Sequence, residues 1–172
     1  MTIGDMSAHE HDAYYWRYIQ KLSTSLELID GFKMGLEDTF RFFQSIPEER
    51  QHYRYEKGKW TIKEVLQHLI DAERIFIYRC FRIARRDTTS LAGFNQEIYI
   101  EPSAANAKRM DQLLAEYLTG REQSISILQS ITDEDLVFIG NANQAPMSAR
   151  AAAFTIIGHD IWHMEIIKER YL

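Results

Sequence analysis

Residues 158–165 read Gly-His-Asp-Ile-Trp-His-Met-Glu and lie near the end of the 172-residue chain. On an α-helix, residues four positions apart lie one above the other on the same face, so His159 and His163 can present two imidazole rings to one metal ion. Because the chain contains six His residues, chance alone would supply roughly 0.2 such pairs. The pair therefore indicates a metal site only if a third ligand joins it.

The segment from 149 to 170 carries this pair on the apolar side of a predicted helix that Ser148 caps. At about 100° per residue, both His residues project on the same side as Ala152, Ile156 and Ile167. A buried imidazole has to find a hydrogen bond or a ligand. A single inward His is more often a hydrogen-bonded core residue, whereas two stacked rings favour a metal ion.

A third candidate ligand, His68, lies on another predicted helix. Thr61 and Glu64 form the capping-box pattern that starts this helix, which we predict to run to about Arg86. His68 falls at the edge of its apolar stripe, and Arg79, which also projects inward, is expected to pair with a carboxylate from another helix. Three neutral imidazoles around a divalent ion, with one position open for water or substrate, are typical of a catalytic rather than a structural site.

Two further helices complete the predicted fold. A capping-box pattern at Thr24 and Glu27 predicts a helix to about Ser45, and helical spacing predicts another from near Ser103 to Leu128. The low Gly and Pro content favours long helices over a turn-rich β fold. We therefore predict an all-α four-helix bundle with the ligands on its second and fourth long helices.

The remaining segments are assigned to the surroundings of the bundle. Residues 1–13 lack apolar periodicity and are predicted to form a loose arm, and residues 14–172 a single domain. The aromatic cluster in residues 14–19 is interpreted as a segment packed over one end of the bundle or as a subunit contact. Residues 87–102 form a long connection, either a functional lid or the crossover that the bundle needs, and residues 137–139 a brief strand or extended piece.

Composition and charge exclude several classes of partner. The formal net charge of −5 argues against a nucleic acid held through phosphate contacts. The single Cys80 cannot form an internal disulfide, which fits a reducing cytoplasm, and it is interpreted as a packing residue. No apolar run is long enough to span a bilayer, and the first residues lack the pattern of a signal peptide. We therefore expect a soluble cytoplasmic protein without a membrane partner.

Two other metal-site patterns fit the same residues less well. A protease-like H-E-x-x-H site would need Asp160 in place of the glutamate base, and Asp is one methylene shorter. A ferritin-like di-iron site needs two Glu-x-x-His pairs on bundle helices, and the only match, Glu49 to His52, lies in a predicted loop. The three inward His residues therefore remain the candidate ligand set.

Three stretches of the chain are informative in combination. Residues 59–74 read Lys-Trp-Thr-Ile-Lys-Glu-Val-Leu-Gln-His-Leu-Ile-Asp-Ala-Glu-Arg, Gly93-Phe94 is followed by Tyr99, and residues 158–163 are followed by Glu-Arg-Tyr at 169–171. In this order they resemble the second helix, the central loop and the closing helix of the DinB and YfiT-like superfamily, in the branch often called DinB-like domain two. The resemblance covers residues 14–172.

This resemblance implies a four-helix bundle of up-down-down-up type with a divalent metal ion, nickel, zinc or iron, on His68, His159 and His163. Relatives include S-transferases and isomerases that use low-molecular-weight thiols such as bacillithiol, mycothiol or glutathione, and others are described as metal-dependent hydrolases. Many of them pair into homodimers. The resemblance thus implies a metal-dependent thiol S-transferase or hydrolase that acts on a small molecule.

The predicted chemistry is activation of a nucleophile at the metal ion. The ion would lower the pKa of a bound thiol cosubstrate or water, with Asp71 or Arg121 assigned to support the site from behind the ligands. Because a protonated His cannot ligate, metal occupancy is expected to fall below about pH 6.5. The alternative is a non-catalytic, metal-stabilised bundle that serves as a stress-response or binding module.

Overall fold

Four long helices form the body of the protein in a computed structural model, which describes residues 1–172. The elements in chain order are α1 (Ala13–Ile19), α2 (Leu28–Gln44), α3 (Ile62–Ala84), α4 (Glu97–Ser103), α5 (Met110–Gln129), α6 (Asp133–Leu136), β1 (Ile139–Ala142), β2 (Ala145–Ser148) and α7 (Ala149–Arg170). The long helices are α2, α3, α5 and α7, so the predicted all-α four-helix bundle is confirmed. None of these helices has the length and apolar character needed to cross a lipid bilayer.

The long helices are not arranged around the bundle in chain order. Helix α3 packs against α7 and α5, and α2 packs against the same two helices. Helices α2 and α3 therefore lie at opposite corners, as do α5 and α7. This arrangement makes α3 and α7, which carry the candidate ligands, direct neighbours. The up-down-down-up order of helix directions stays a prediction.

The core consists of two apolar clusters separated by a polar layer. One cluster combines α1 with the C-terminal half of α3 and the N-terminal half of α7. The other combines the N-terminal half of α3 with the C-terminal end of α7 and the first half of α5. The buried polar side chains between them are Thr39, His68, Glu73, Arg121, His159, Asp160 and His163. The candidate ligands thus belong to a layer in which every polar group needs a partner.

Helix α3 starts as the sequence predicts. The Thr61 hydroxyl accepts a hydrogen bond from the Glu64 backbone N–H at 3.2 Å, and the Thr61 N–H donates to the Glu64 carboxylate at 2.7 Å. The capping box therefore satisfies two free N–H groups at the helix start. The helix ends at Ala84, two residues before the predicted end, and Arg86 has a left-handed φ of 63°.

The second predicted capping box, at Thr24 and Glu27, is wrong. Helix α2 begins at Leu28, and Glu27 is the residue that precedes it, without a side-chain cap. The Glu27 carboxylate instead pairs with the N-terminal ammonium group of Met1. A full positive charge is a stronger partner for a carboxylate than a backbone N–H. The Thr24 carbonyl accepts from the Gly4 N–H at 2.8 Å, which also draws this segment toward the N-terminus.

The prediction of a loose arm at residues 1–13 is also wrong. Glu10 is only 4% exposed, and its carboxylate accepts two hydrogen bonds from Arg150, from Nε at 2.7 Å and Nη2 at 2.6 Å. Ile3 is buried in the same region. A buried ion pair with both partners satisfied fixes its segments firmly, because separating it would leave an uncompensated charge. The N-terminal residues are therefore attached to the start of α7.

The connections around α5 and α7 are more structured than predicted. Helix α5 begins at Met110 rather than near Ser103, because residues 97–107 form α4 and a 3-10 turn. Strand β1 begins at Ile139, the last residue of the predicted strand or extended piece, and it pairs antiparallel with β2, a pairing that the sequence does not predict. The Ser148 side chain accepts from the Ala151 N–H at 3.0 Å, so the predicted cap of α7 is confirmed.

Helix α1 lies directly against α7 at Gly158. A Cβ atom at this position would lie 2.2 Å from the carbonyl oxygen and 2.5 Å from the carbonyl carbon of Tyr18. Only glycine leaves room for this approach of backbone to helix. The contact brings the Tyr18 ring edge-on to His159, with 5.0 Å between the ring centroids. The close approach at Gly158 therefore lets α1 cover the polar layer beside His159.

Gly158→Ala is expected to destabilise the protein by about 1–3 kcal/mol, because α1 would have to move away from α7. Gly120→Ala is the matched control, since Gly120 is also helical and no heavy atom lies within 4 Å of its Cβ position. This control should stabilise the protein by up to about 1 kcal/mol. Urea unfolding of both variants measures the difference, and equal effects would contradict the close-approach explanation.

Candidate metal centre

The three predicted ligands converge in the polar layer. Helix α3 provides His68, and α7 provides His159 and His163. The Nε2 atom of His159 lies 3.1 Å from Nε2 of His68 and 3.1 Å from Nε2 of His163. One ring nitrogen of each residue lies within 4.8 Å of the others, and all three residues are buried. The convergence predicted from helical spacing is therefore confirmed.

The donor set fits a divalent metal ion. Two nitrogens at about 2.0–2.1 Å from a tetrahedral zinc ion would be about 3.3 Å apart, close to the 3.1 Å separations of the Nε2 atoms. Burial lowers the pKa of His68 to about 4. Burial, followed by the neighbouring imidazoles, also holds the pKa values of His159 and His163 well below their usual range. The rings are therefore neutral near pH 7, as ligation requires.

Aromatic side chains hold each imidazole in place. The Tyr18 ring meets His159 edge-on, Trp60 lies against His68 with 4.7 Å between ring centroids, and Trp162 meets His163 at 4.7 Å. These contacts restrict rotation of the rings and limit the access of water. Preorganised ligands lose little side-chain freedom when an ion binds.

A cleft with two lobes opens beside the three rings. The Arg79 lobe has a volume of about 290 Å³ and extends along α3 past Phe76 and Phe94. The Trp162 lobe, also of about 290 Å³, extends past Trp60 and Lys59. The residues that line both lobes are Tyr14, Tyr18, His68, Gln96, Glu97 and His159. The candidate ligands thus face a space that a small molecule can enter.

The connection from 87 to 102 forms one wall of this cleft. Residues 94–97 line the Arg79 lobe, and the Glu97 carboxylate accepts a hydrogen bond from the Trp60 indole N–H at 3.2 Å. This position joins the connection to the start of α3. The segment therefore lies where a lid over the cleft would lie, and it also connects α3 to α5 as a crossover would.

Asp71, predicted to support the ligands, does not reach them. Its Oδ1 atom accepts hydrogen bonds from Gln67 at 3.2 Å and from Arg74 at 2.9 Å. The residue belongs to a polar group with Glu116 on the α3–α5 side and lines neither lobe of the cleft. The prediction is wrong because Asp71 pairs with Arg74, a cation on its own side of α3.

Arg121, the other predicted supporting residue, joins three helices from a fully buried position. Its Nε and Nη2 atoms donate to the two carboxylate oxygens of Glu73 on α3 at 2.8 and 3.0 Å, and Nη2 donates to Asp160 on α7 at 2.7 Å. The Tyr117 hydroxyl donates to the same Asp160 oxygen at 2.9 Å. Arg121 makes no hydrogen bond to an imidazole. It positions α7 through Asp160, the neighbour of His159.

Arg79 has no carboxylate partner, contrary to prediction. Its Nη2 donates to the backbone carbonyl of Ala92 at 2.9 Å, and no Asp or Glu lies within salt-bridge distance. The partner of Arg79 is thus a backbone carbonyl in a loop and not the carboxylate of another helix. Cys80 is buried, as expected of a packing residue, and burial raises the pKa of its thiol to about 12.

Tyr18, Trp60 and Glu97 border the three imidazoles or the cleft, but the sequence alone does not predict this. Trp60 directly precedes the Thr61 cap, and Tyr18 lies in the aromatic cluster of residues 14–19. Both positions can be recognised in the sequence, but the sequence does not indicate that these rings contact the imidazoles. Helix α1 packs against α7 over the site, which confirms packing over the bundle as one role of the cluster. Glu97 lies in the long connection, where no periodicity indicates direction.

Comparison with known proteins adds a family and a fold. The sequence profile of the DinB superfamily matches residues 32–167. The structure of YfiT from Bacillus subtilis is similar, with a TM-score of 0.69 and 14% sequence identity over 95% of this chain and 90% of that one. That protein is described as a probable metal-dependent hydrolase with an unusual four-helix bundle topology. No curated protein sequence matches this one significantly.

Arg121→Met is expected to lower the free energy of unfolding by about 3–5 kcal/mol, because Glu73 and Asp160 would remain buried without a cation. Arg74→Met is the control, since the Arg74 side chain is 54% exposed and its ion pairs with Asp71 and Glu116 lie at the surface. Its loss should cost at most about 1 kcal/mol. Urea unfolding compares the two variants. Similar losses would show that the buried network does not hold the bundle together.

The metal-free protein is expected to lose stability as the pH falls from about 6.5 toward 4. In this window the unfolded chain takes up protons on His68, His159 and His163, whereas burial keeps the folded imidazoles neutral. Each ring can contribute up to about 1.4 kcal/mol per pH unit. By the same argument, protons should displace a bound metal ion at a lower pH than the sequence alone predicts.

The measurement is chemical unfolding of the metal-free protein at several pH values. A variant with Gln at all three His positions is the control. The difference between the two profiles isolates the imidazoles from Asp160, whose pKa burial raises to about 6. Parallel profiles for the two proteins would contradict the assignment.

Proposed function

We propose that this chain, which belongs to the DinB superfamily, binds a divalent metal ion on His68, His159 and His163 and uses it in a reaction of a small molecule. The observation that carries this proposal is the convergence of three buried, neutral imidazoles beside an open cleft. Imidazole ligands suit zinc, nickel and iron. The likeness to a Bacillus subtilis protein described as a probable metal-dependent hydrolase supports the same class of chemistry.

The reaction we propose is thiol S-transfer or hydrolysis. When bound, the ion would supply a Lewis acid that lowers the pKa of a thiol or of water. Tyr18, Trp60 and Trp162 surround the imidazoles and restrict the entry of other water molecules. Such exclusion strengthens electrostatic interactions within the site.

Glu97 is the residue that we propose to take up the proton of the nucleophile. It is the only carboxylate that lines either lobe, and it lines both of them. Its hydrogen bond from the Trp60 indole leaves one carboxylate oxygen without a protein donor. A general base has to reach the proton that it removes within hydrogen-bond distance or through one water molecule. Glu97 borders the space in which that nucleophile would lie.

The second candidate function is a metal-stabilised bundle without catalysis. The observation that favours it is the position of the rings in the polar layer, where an ion would link α3 to α7 directly. Metal binding that couples to folding would then contribute only to stability. A homodimer and a cytoplasmic location, expected from the resemblance and the single Cys, are further proposals that apply to either function.

Replacement of all three His residues by Gln is expected to abolish metal binding, because no other group in the cluster can ligate. Purified wild-type protein should contain about one divalent ion per chain by elemental analysis. His52→Gln is the control, since His52 lies in the loop before α3 and its ring nitrogen contacts Lys63 at 3.4 Å. This variant should keep the ion.

The same proteins separate the two candidate functions. A screen for thiol conjugation and ester hydrolysis is run alongside thermal unfolding. Loss of activity in a triple variant that remains folded supports the enzyme. Loss of thermal stability alone, with no activity in the wild type, supports the structural role. Full metal content in the triple variant would overturn both.

A further inference from the structure

The guanidinium group of Arg79 is buried with an unused donor. The residue is 2% exposed, and its Nη2 atom donates to the Ala92 carbonyl. The Nη1 atom is buried and has no hydrogen-bond partner. A buried charged donor without an acceptor is costly, so such a group in a folded protein indicates an absent partner.

The side chain of Arg79 lines the same lobe as the candidate metal ligands. The candidate ligands in this lining are His68 and His159. Arg79 follows His68 by eleven residues, which is three helical turns with an offset of only about 20°. Ala72 and Phe76 lie between them on the same face and form an apolar wall. The lobe therefore runs along α3 from the imidazoles to the guanidinium.

Two phenyl rings fix the orientation of this guanidinium. Its central carbon lies 5.2 Å from the centroid of Phe76 and 5.6 Å from that of Phe94. The rings offer the guanidinium no hydrogen-bond acceptor in their plane, so its Nη1 donor is left for a ligand. A guanidinium edge matches the geometry of a carboxylate or another oxyanion.

The charges of the lobe favour a single negative charge on the ligand. Arg79 is the one cation among the lining residues, and Glu97 adds a carboxylate nearer the imidazoles. The other polar residues, Asn95, Gln96 and Asn143, are neutral amides that can donate hydrogen bonds. A monoanionic carboxylate matches this balance better than a phosphate dianion.

We propose that Arg79 binds the carboxylate end of the substrate, whose reacting end lies at the three imidazoles. The substrate class is then a small carboxylic acid with a thiol or another metal-binding group at its far end and an apolar chain between the two. This inference rests on the proposed function. It adds a substrate-binding residue and the chemistry that this residue selects.

The test uses a matched pair of thiols, 6-mercaptohexanoate and 6-mercaptohexanol, with protein loaded with cobalt. The thiolate-to-metal absorption band reports binding without any requirement for turnover. Wild-type protein is expected to bind the acid about ten- to a hundredfold more tightly than the alcohol, as hydrogen bonds to charged groups predict. Arg79→Met should remove this preference, with the affinity for the alcohol and the cobalt content unchanged.

Two further variants complete the test. Arg79→Lys keeps the charge without the planar edge, so most of the preference for the acid should be lost even if Arg79→Met does not fold. Arg82→Met should keep the full preference, because Arg82 lies on the same helix but pairs with Asp87 outside the cleft. Equal binding of acid and alcohol by the wild type would overturn the proposal. So would an undiminished preference in Arg79→Lys.

Failure of the proposed function gives a different result. If the wild type holds no cobalt, or the thiols produce no absorption band, the metal chemistry is wrong. The Arg79 site is then tested with hexanoate and hexanol by calorimetry on metal-free protein. Binding of hexanoate by the wild type but not by Arg79→Lys would support the carboxylate site on its own, and no binding by the wild type would overturn it.

Discussion

The ion pairs of Arg121 are the interaction on which the rest of the structure depends. One guanidinium on α5 holds Glu73 of α3 and Asp160 of α7 at full burial. Desolvation of these charges is offset only when each donor and acceptor meets its partner, so the network tolerates little displacement of the helices. Because Glu73 is five residues from His68 and Asp160 adjoins His159, the same network fixes the two helices that carry the candidate ligands relative to each other. The geometry of the imidazoles follows from it.

The polar layer and the two apolar clusters contribute differently to the structure. The clusters on either side bury most of the large side chains and provide the hydrophobic stabilisation. The layer between them holds the buried polar groups, with an ionic half around Arg121 and an imidazole half that faces the cleft. Buried polar groups specify a unique arrangement only if all are satisfied. Apart from Nη1 of Arg121, the donors left over in this protein belong to Arg17 and Arg79, and both of these residues line the cleft.

Much of the fold and the convergence of the candidate ligands could be predicted because those signals are local or periodic. The cap of α3 at Thr61 depends on residues three apart, and the His pair of α7 on residues four apart. Three of the failures involve partners outside the residue's own segment. Glu10 pairs with Arg150, which is 140 residues away in the chain. Glu27 pairs with the N-terminal ammonium group, and Arg79 donates a hydrogen bond to a loop carbonyl. Helical spacing gives the direction of a side chain but not what it meets, so Asp71 was assigned to the wrong neighbours.

The way in which α1 packs on α7 determines which residues of the cleft wall can be replaced. Its closest contact joins the Tyr18 carbonyl group to Gly158, and the buried side chains of Tyr15, Tyr18 and Ile19 complete the attachment. Tyr14, Arg17 and Tyr18 project from that helix into the cleft. Evolution or an engineer can therefore exchange Tyr14 and Arg17, which are not buried, to accept other molecules, while Tyr18, the main-chain contact at Gly158 and the ionic network remain intact.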